Sequence, residues 1–183
     1  EQRHRTGRGQ MIDLSLLDSA TALLANQAMN YLATGTSPGR LGNAHPNLVP
    51  YEVVPVEDGH VIIAVGNDRQ FGSLVALLGM DMLAQNPMFA TNAARIENRD
   101  MLMGIIGEAT AVWERAPLLA ALEKAGVPAG PINEIADTFA DSQVVARGMK
   151  IMPEGVPGVR GPWRFSDAEL ALDTTAPILP KRG

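Results

Sequence analysis

The chain has 183 residues, of which 46% are hydrophobic and 19% charged, so it holds enough apolar side chains for a folded core and is not disordered throughout. Its net charge of −5 argues against nucleic acid as a partner, because phosphate binding needs Lys and Arg clustered on one face. The absence of cysteine excludes a disulfide framework, a thiol nucleophile and a thiolate metal site, and indicates an intracellular, cytoplasmic protein.

The first quarter of the chain predicts a strand followed by a long helix. Residues 10–14 alternate enough for a short strand. Apolar residues at i, i+3, i+4 spacing predict a helix over 16–32 with one broad buried stripe, and Asp18 or Ser19 could cap it. The helix contains too many polar residues to span a membrane, and the Gly- and Pro-containing run 34–39 ends it.

A long irregular connection follows, from residue 40 to residue 50. Loops of this length in a compact domain are often functional. Its unusual composition comes from a few Gly, Asn, His and Pro residues, namely Gly42, Asn43, His45, Pro46 and Asn47.

The middle of the chain predicts a β-hairpin and then several short helices. Two β-rich runs, 51–56 and 60–65, are joined by Glu57-Asp58-Gly59, which supplies the residue types of a tight turn. Asn67 or Asp68 can cap a helix that ends at Gly79. Further helices are predicted over 91–98, 100–112, 117–124 and 135–147.

The last part of the chain has weaker patterns. Residues 149–152 predict a strand, and residues 153–162 are too rich in Pro and Gly for a helix. Residues 165–183 show little amphipathic pattern and need something else to pack against.

Few residues form a recognisable reactive group. Of the three histidines, His4 is typical of a solvated segment and His60 of a surface strand. His45 is therefore the main candidate for a functional histidine. A loop histidine that only hydrogen-bonds backbone is an equal alternative for His45. No metal-ligand spacing and no glycine-rich phosphate loop after a strand occurs, so the sequence predicts no metal site and no permanently bound cofactor.

Three stretches in this order resemble the family III CoA-transferases, the CaiB/BaiF family, which also includes the α-methylacyl-CoA racemases. The stretches are residues 6–18 (TGRGQMIDLSLLD), residues 40–47 (RLGNAHPN) with Tyr51-Glu52 and Asp58-Gly59-His60, and residues 125–132 (AGVPAGPI) with Arg164-Phe165-Ser166. The resemblance covers nearly the whole chain.

The resemblance implies an α/β fold in which this chain supplies a small α+β domain and connecting segments, without most of the N-terminal Rossmann-like domain. Residues 1–49 are then the end of the large domain, a long helix and a linker, residues 50–132 the small domain, and residues 133–183 the return segment toward the large domain. Intact members form interlocked homodimers. No membrane and no nucleic acid takes part.

The implied reaction moves CoA from an acyl-CoA to a small carboxylate through an aspartyl anhydride and an aspartyl-CoA thioester. In the family the nucleophilic aspartate lies upstream of the segment that matches residues 6–18. No catalytic residue is therefore expected within this chain, and the chain alone is expected to be inactive. Coenzyme A and acyl-CoA enter as substrates.

The loop before the hairpin corresponds to a glycine-rich loop that closes over the active site in formyl-CoA transferases. Here residues 45–49 are His-Pro-Asn-Leu-Val, which disfavours oxalate or formyl specificity and suggests another carboxylate, such as a dicarboxylate. The implied substrate-loop residues are Gly42, Asn43, His45, Asn47 and Tyr51. Glu52 matches a glutamate that supports a catalytic histidine in the racemase branch, with an ordinary strand carboxylate as the alternative.

Two other functions remain open at this point. The first is a 2-methylacyl-CoA racemase, which works by acid/base groups at the α-carbon. The second is a non-catalytic interaction module that acts with a separate partner chain.

Overall fold

The computed structural model describes residues 2–175 of the chain. It is a mixed α and β structure with small antiparallel sheets, as the sequence predicts, and it is built around a β-hairpin covered by helices. No helix within these residues is long and apolar enough to cross a membrane.

The first segment contains α1 (Gln2–Thr6), α2 (Leu16–Leu23) and α3 (Ala25–Thr34). The predicted strand at 10–14 is wrong, because this extended stretch finds no strand to pair with in the described part of the chain. The predicted single helix is broken at Ala25, whose φ is +44°. Ser15 is the cap, since its Oγ accepts the amide hydrogen of Asp18.

The predicted stripe of this helical segment is not buried by any element within residues 2–175. Leu16 is 90% exposed and Leu23 84% exposed, because no element within residues 2–175 covers this face. The structure leaves a continuous series of apolar side chains uncovered from residue 11 to residue 32: Met11, Ile12, Leu14, Leu16, Leu17, Leu23, Leu24, Met29, Tyr31 and Leu32.

The main sheet confirms the predicted hairpin. Strands β1 (Tyr51–Val56) and β2 (Gly59–Ala64) pair antiparallel, with Tyr51 opposite Ala64 and Val56 opposite Gly59. A third strand, β3 (Ala129–Pro131), joins the free edge of β2. Alternate residues of β1 and β2 face the helices, so these two strands contribute Val54, Val56, Val61 and Ile63 to one common core.

Four helices and a 3₁₀ turn cover this sheet. They are α4 (Asp68–Leu77), the 3₁₀ turn Asp81–Gln85, α5 (Asn92–Glu97), α6 (Arg99–Thr110) and α7 (Arg115–Lys124). Asn67 caps α4 through its side chain, as predicted, and Thr91 caps α5. The helices and strands share one core that includes Val54, Val61, Ile63, Phe71, Leu74, Leu102, Ile106, Leu118 and Leu122.

The hairpin offers a matched test of this core. Ile63 is fully buried, whereas its neighbour Ile62 lies on the other face of β2 and is only half-buried. Ile63→Val is expected to lower the free energy of unfolding by about 1 kcal/mol through loss of one buried methylene. Ile62→Val is expected to have a smaller effect in the same urea titration, and equal losses would contradict the assigned register.

The last segment contains short elements only. These are α8 (Ile135–Ala140), α9 (Ser142–Ala146), β4 (Lys150–Ile151), the 3₁₀ turn Pro153–Gly155 and β5 (Gly158–Val159). The predicted helix over 135–147 is interrupted at Asp141, whose carboxylate accepts the amide hydrogens of Gln143 and Val144 and so starts a new helix. The predicted strand after Gly148 is confirmed, since β4 pairs with β5. Residues 176–183 of the predicted tail lie outside the described residues.

Candidate functional site

The loop that joins α3 to β1 holds the residues that the sequence singled out. Gly42 lies in an exposed turn with a φ of +60°, a conformation that glycine adopts without strain. The Asn43 Oδ1 atom accepts the Val53 amide hydrogen at 2.9 Å and so ties this turn to β1. The structure thus brings the loop back against the strand that follows it.

His45 packs on Tyr51 at the start of β1. The two ring centroids are 5.0 Å apart with an interplanar angle of 22°. The His45 backbone N–H donates to the Tyr51 carbonyl at 2.9 Å. Stacking and hydrogen bond together fix the position of the imidazole, which stays partly exposed.

The Asn47 backbone N–H donates to His45 Nδ1 at 3.1 Å. A ring nitrogen that accepts a hydrogen bond carries no proton, so a neutral His45 ring carries its proton on Nε2. The described residues provide no hydrogen-bond partner for this Nε2–H group. His45 is therefore oriented as a hydrogen-bond donor at the surface of the loop.

Asn47 connects the loop to the preceding helix. Its side-chain amide forms two reciprocal hydrogen bonds with the amide of Asn30 on α3, at 3.1 and 3.4 Å. The sequence did not indicate a role for Asn30, because a polar residue on a helix usually faces solvent. The two predicted loop residues His45 and Asn47 are thus held by different neighbours.

Glu52 lies beside Arg99 of α6. Its Oε1 atom is 3.5 Å from Arg99 Nη1, and both side chains are largely buried, at 22% and 14% exposed. Neither of these two atoms has a hydrogen bond in the described structure. The support of a catalytic histidine by Glu52 stays a prediction. In the structure Glu52 forms an ion pair with Arg99.

Arg95 of α5 is the largest fully buried side chain of the described core, and the sequence did not single it out. Its guanidinium donates to the carbonyls of Val49 at 2.7 Å and Phe89 at 2.9 Å, and to Asp68 Oδ1 at 2.7 Å. The group also stacks on the Phe71 ring at 4.4 Å. A buried cation needs such partners, and here they join the end of the loop to the core.

The other two histidines lie away from this loop. His4 is exposed in α1, and His60 is exposed on β2 opposite Pro55. No group of three or more His, Cys, Asp or Glu side chains that could hold a metal ion occurs in residues 2–175.

Comparison with known proteins places these observations in a family. A sequence profile described as CoA-transferase family III matches residues 1–182. The chain is 48% identical over 180 residues to the succinate–glutarate CoA-transferase of Agrobacterium fabrum. This alignment covers 96% of this chain and 45% of that protein. The chain is 38% identical over 154 residues to the acetyl-CoA:oxalate CoA-transferase of Acetobacter aceti. This second alignment covers 84% of this chain and 40% of that protein.

The fold supports the same assignment. A crystal structure of a CaiB/BaiF family protein from Brucella suis superimposes with a TM-score of 0.80 at 59% identity, covering 97% of this chain and 47% of that one. The chain therefore spans just under half the length of these relatives. On the profile match and these identities, the chain belongs to CoA-transferase family III.

Proposed function

We propose that the protein containing this chain transfers CoA from an acyl-CoA to a small carboxylic acid, with a dicarboxylate as the acid. Membership of family III is the observation that carries this proposal, and the 48% identity to a succinate–glutarate CoA-transferase favours dicarboxylates. The acetyl-CoA:oxalate relative, whose named acid is also a dicarboxylate, is 38% identical, so the comparison favours the longer succinate and glutarate over oxalate. Within the enzyme, residues 50–132 form the small domain and residues 133–183 return toward the large domain.

The proposed chemistry proceeds through an aspartate upstream of residue 1. Its carboxylate oxygen attacks the thioester carbonyl, CoA thiolate leaves, and a mixed anhydride forms. The thiolate then attacks the aspartyl carbonyl, releases the donor acid and gives an aspartyl-CoA thioester. The acceptor carboxylate repeats these steps in reverse and leaves as the new acyl-CoA. Dividing the transfer in this way replaces one difficult step by easier ones.

In this proposal the loop of residues 42–51 faces the acid substrate. His45 presents an Nε2–H donor, and the acid's remote carboxylate is the acceptor that matches it. Gly42, Asn43, Asn47 and Tyr51 shape the loop around this donor.

The experiment is a transfer assay with the full-length enzyme. Succinyl-CoA and glutarate are expected to give glutaryl-CoA and succinate, measured by liquid chromatography and mass spectrometry. Hydroxylamine added with succinyl-CoA alone is expected to convert the aspartyl-CoA thioester to a hydroxamate, which peptide mapping should place upstream of residue 1. Transfer with a modified residue inside residues 1–183 would contradict the upstream aspartate.

The racemase alternative has a different signature. A 2-methylacyl-CoA incubated in deuterated water would exchange its α-hydrogen without any acid present. Glu52 is the residue that favours this alternative, and its ion pair with Arg99 is compatible with either function. Exchange without CoA transfer would decide for the racemase.

We also propose that the intact enzyme is an interlocked homodimer. The uncovered apolar side chains of α2 and α3, with Leu16 at 90% and Leu32 at 71% exposed, support this proposal because such a surface is usually covered by another chain or segment. Light scattering of the full-length enzyme measures its mass directly. A monomer would refute the proposed assembly, and a dimer lacking transfer activity would favour the interaction module.

A further inference from the structure

Three polar side chains from α5 and α6 contact the substrate loop. They are Asn92, Arg95 and Arg99, and a single residue, Asn98, lies between the two helices. Asn98 has non-helical dihedral angles (φ −110°, ψ 28°), so the three side chains lie on two successive helices and not on one helix face. All three side chains contact residues 45–49.

Each of the three side chains binds backbone atoms of the loop. The Asn92 amide donates to the Asn47 carbonyl at 2.8 Å and accepts the Val49 amide hydrogen at 3.2 Å. The Arg95 Nε–H donates to the Val49 carbonyl at 2.7 Å, and Arg99 Nη2 donates to the His45 carbonyl at 2.8 Å. A longer contact of 3.3 Å joins Arg99 Nη2 to the carbonyl of Pro46.

These bonds use most of the polar backbone groups between residues 45 and 49. The remaining amide hydrogens of His45 and Asn47 are bound by the Tyr51 carbonyl and by His45 Nδ1, and Pro46 has none. The amide hydrogens of His45, Asn47 and Val49 are therefore bound within the protein, and that of Leu48 has no hydrogen-bond partner among the described residues. The donors that this loop can offer to a substrate are then the His45 side chain and the Leu48 amide hydrogen.

We infer that Asn92, Arg95 and Arg99 are positioning residues that hold residues 45–49 as a fixed wall of the acid-substrate site. This inference rests on the proposed transferase function. If the three side chains set the position of His45, then loosening them affects binding of the acid more than binding of the acyl-CoA.

The chain contains a matched pair of asparagines for the test. Asn98 also donates to backbone carbonyls, those of Ala94 at 2.9 Å and Met88 at 3.3 Å, but it does not contact the loop. Asn92→Asp and Asn98→Asp in the full-length enzyme each remove one amide donor with almost no change of shape. Both are expected to lower the midpoint of thermal unfolding slightly, since each leaves a carbonyl without its donor.

Two further readouts separate the variants. Asn92→Asp is expected to speed hydrogen exchange of the peptide containing residues 44–49 by about ten-fold, which corresponds to one lost hydrogen bond. It is also expected to raise the KM for glutarate by about the same factor while leaving the KM for succinyl-CoA unchanged. Asn98→Asp is expected to change neither the loop exchange nor either KM.

Arg99 gives an independent arm of the same test. Arg99→Lys keeps a cationic donor in reach of the His45 carbonyl and should restore most of the loop protection that Arg99→Met removes. The inference would be overturned if Asn92→Asp and Asn98→Asp showed the same hydrogen-exchange rate in residues 44–49 and the same KM for glutarate. Absence of transfer in the unsubstituted enzyme would refute the proposed function instead, and the exchange rates would still decide whether these side chains hold the loop.

Discussion

Arg95→Met is expected to lower the free energy of unfolding by about 2–5 kcal/mol, because two buried carbonyls lose their donors at about 1–3 kcal/mol each. The Arg95 side chain is 1% exposed. Methionine fills much of the volume but donates nothing, so the carbonyls of Val49 and Phe89 lose their donors. Urea unfolding of the full-length enzyme, followed by circular dichroism, measures the loss.

Asp68→Asn provides the matched control. The Asp68 side chain is 59% exposed, so its attraction to Arg95 is screened by solvent, and asparagine keeps an acceptor at the same place. This variant is expected to cost at most about 1 kcal/mol. A loss as large as that of Arg95→Met would show that the ion pair, and not the two carbonyl contacts, dominates the network.

The parts of the fold that the sequence predicted are those set by neighbouring residues. The hairpin follows from alternating apolar residues on either side of Glu57-Asp58-Gly59, and the start of α4 follows from an asparagine that caps its own helix. Each of these signals acts over a few residues. The hairpin and the start of α4 occur in the structure as predicted because no contact with a distant residue opposes them.

Most of the errors have non-local causes, and the error at Asp141 has a local one. A strand at 10–14 requires a partner strand, and residues 2–175 supply none. The helix over 135–147 was interrupted by Asp141, whose side chain caps the second half more readily than it continues the first. The apolar stripe of residues 16–32 predicted burial, but periodicity indicates which face is apolar and not what covers it.

The residues of the candidate site also divide into those that the sequence indicated and those that depend on distant contacts. The composition of the loop pointed to His45 and Asn47, since their neighbours in sequence form an irregular connection. Arg95 was missed because its partner Val49 is 46 residues away and its partner Asp68 is 27 residues away. The spacing of Asn92, Arg95 and Arg99 is visible in the sequence, but an amphipathic surface helix has the same spacing.

His45→Asn is expected to lower kcat/KM for the acid substrate by roughly 10- to 100-fold, because it removes a hydrogen bond to a charged group. Asparagine places its Oδ1 near the position of Nδ1, so the bond from the Asn47 amide is kept while the Nε2–H donor is lost. The assay uses glutarate at saturating succinyl-CoA with the full-length enzyme.

His45→Gln is the discriminating companion to this variant. Glutamine loses the stacking on Tyr51 just as asparagine does, but its side-chain amide reaches the position of Nε2 and offers an N–H donor there. His45→Gln is expected to retain most of the kcat/KM for glutarate. His60→Asn, at an exposed position, is expected to leave this kcat/KM unchanged. If asparagine and glutamine at position 45 lower kcat/KM equally, His45 acts through its packing on Tyr51, and the proposed hydrogen bond to the acid is wrong.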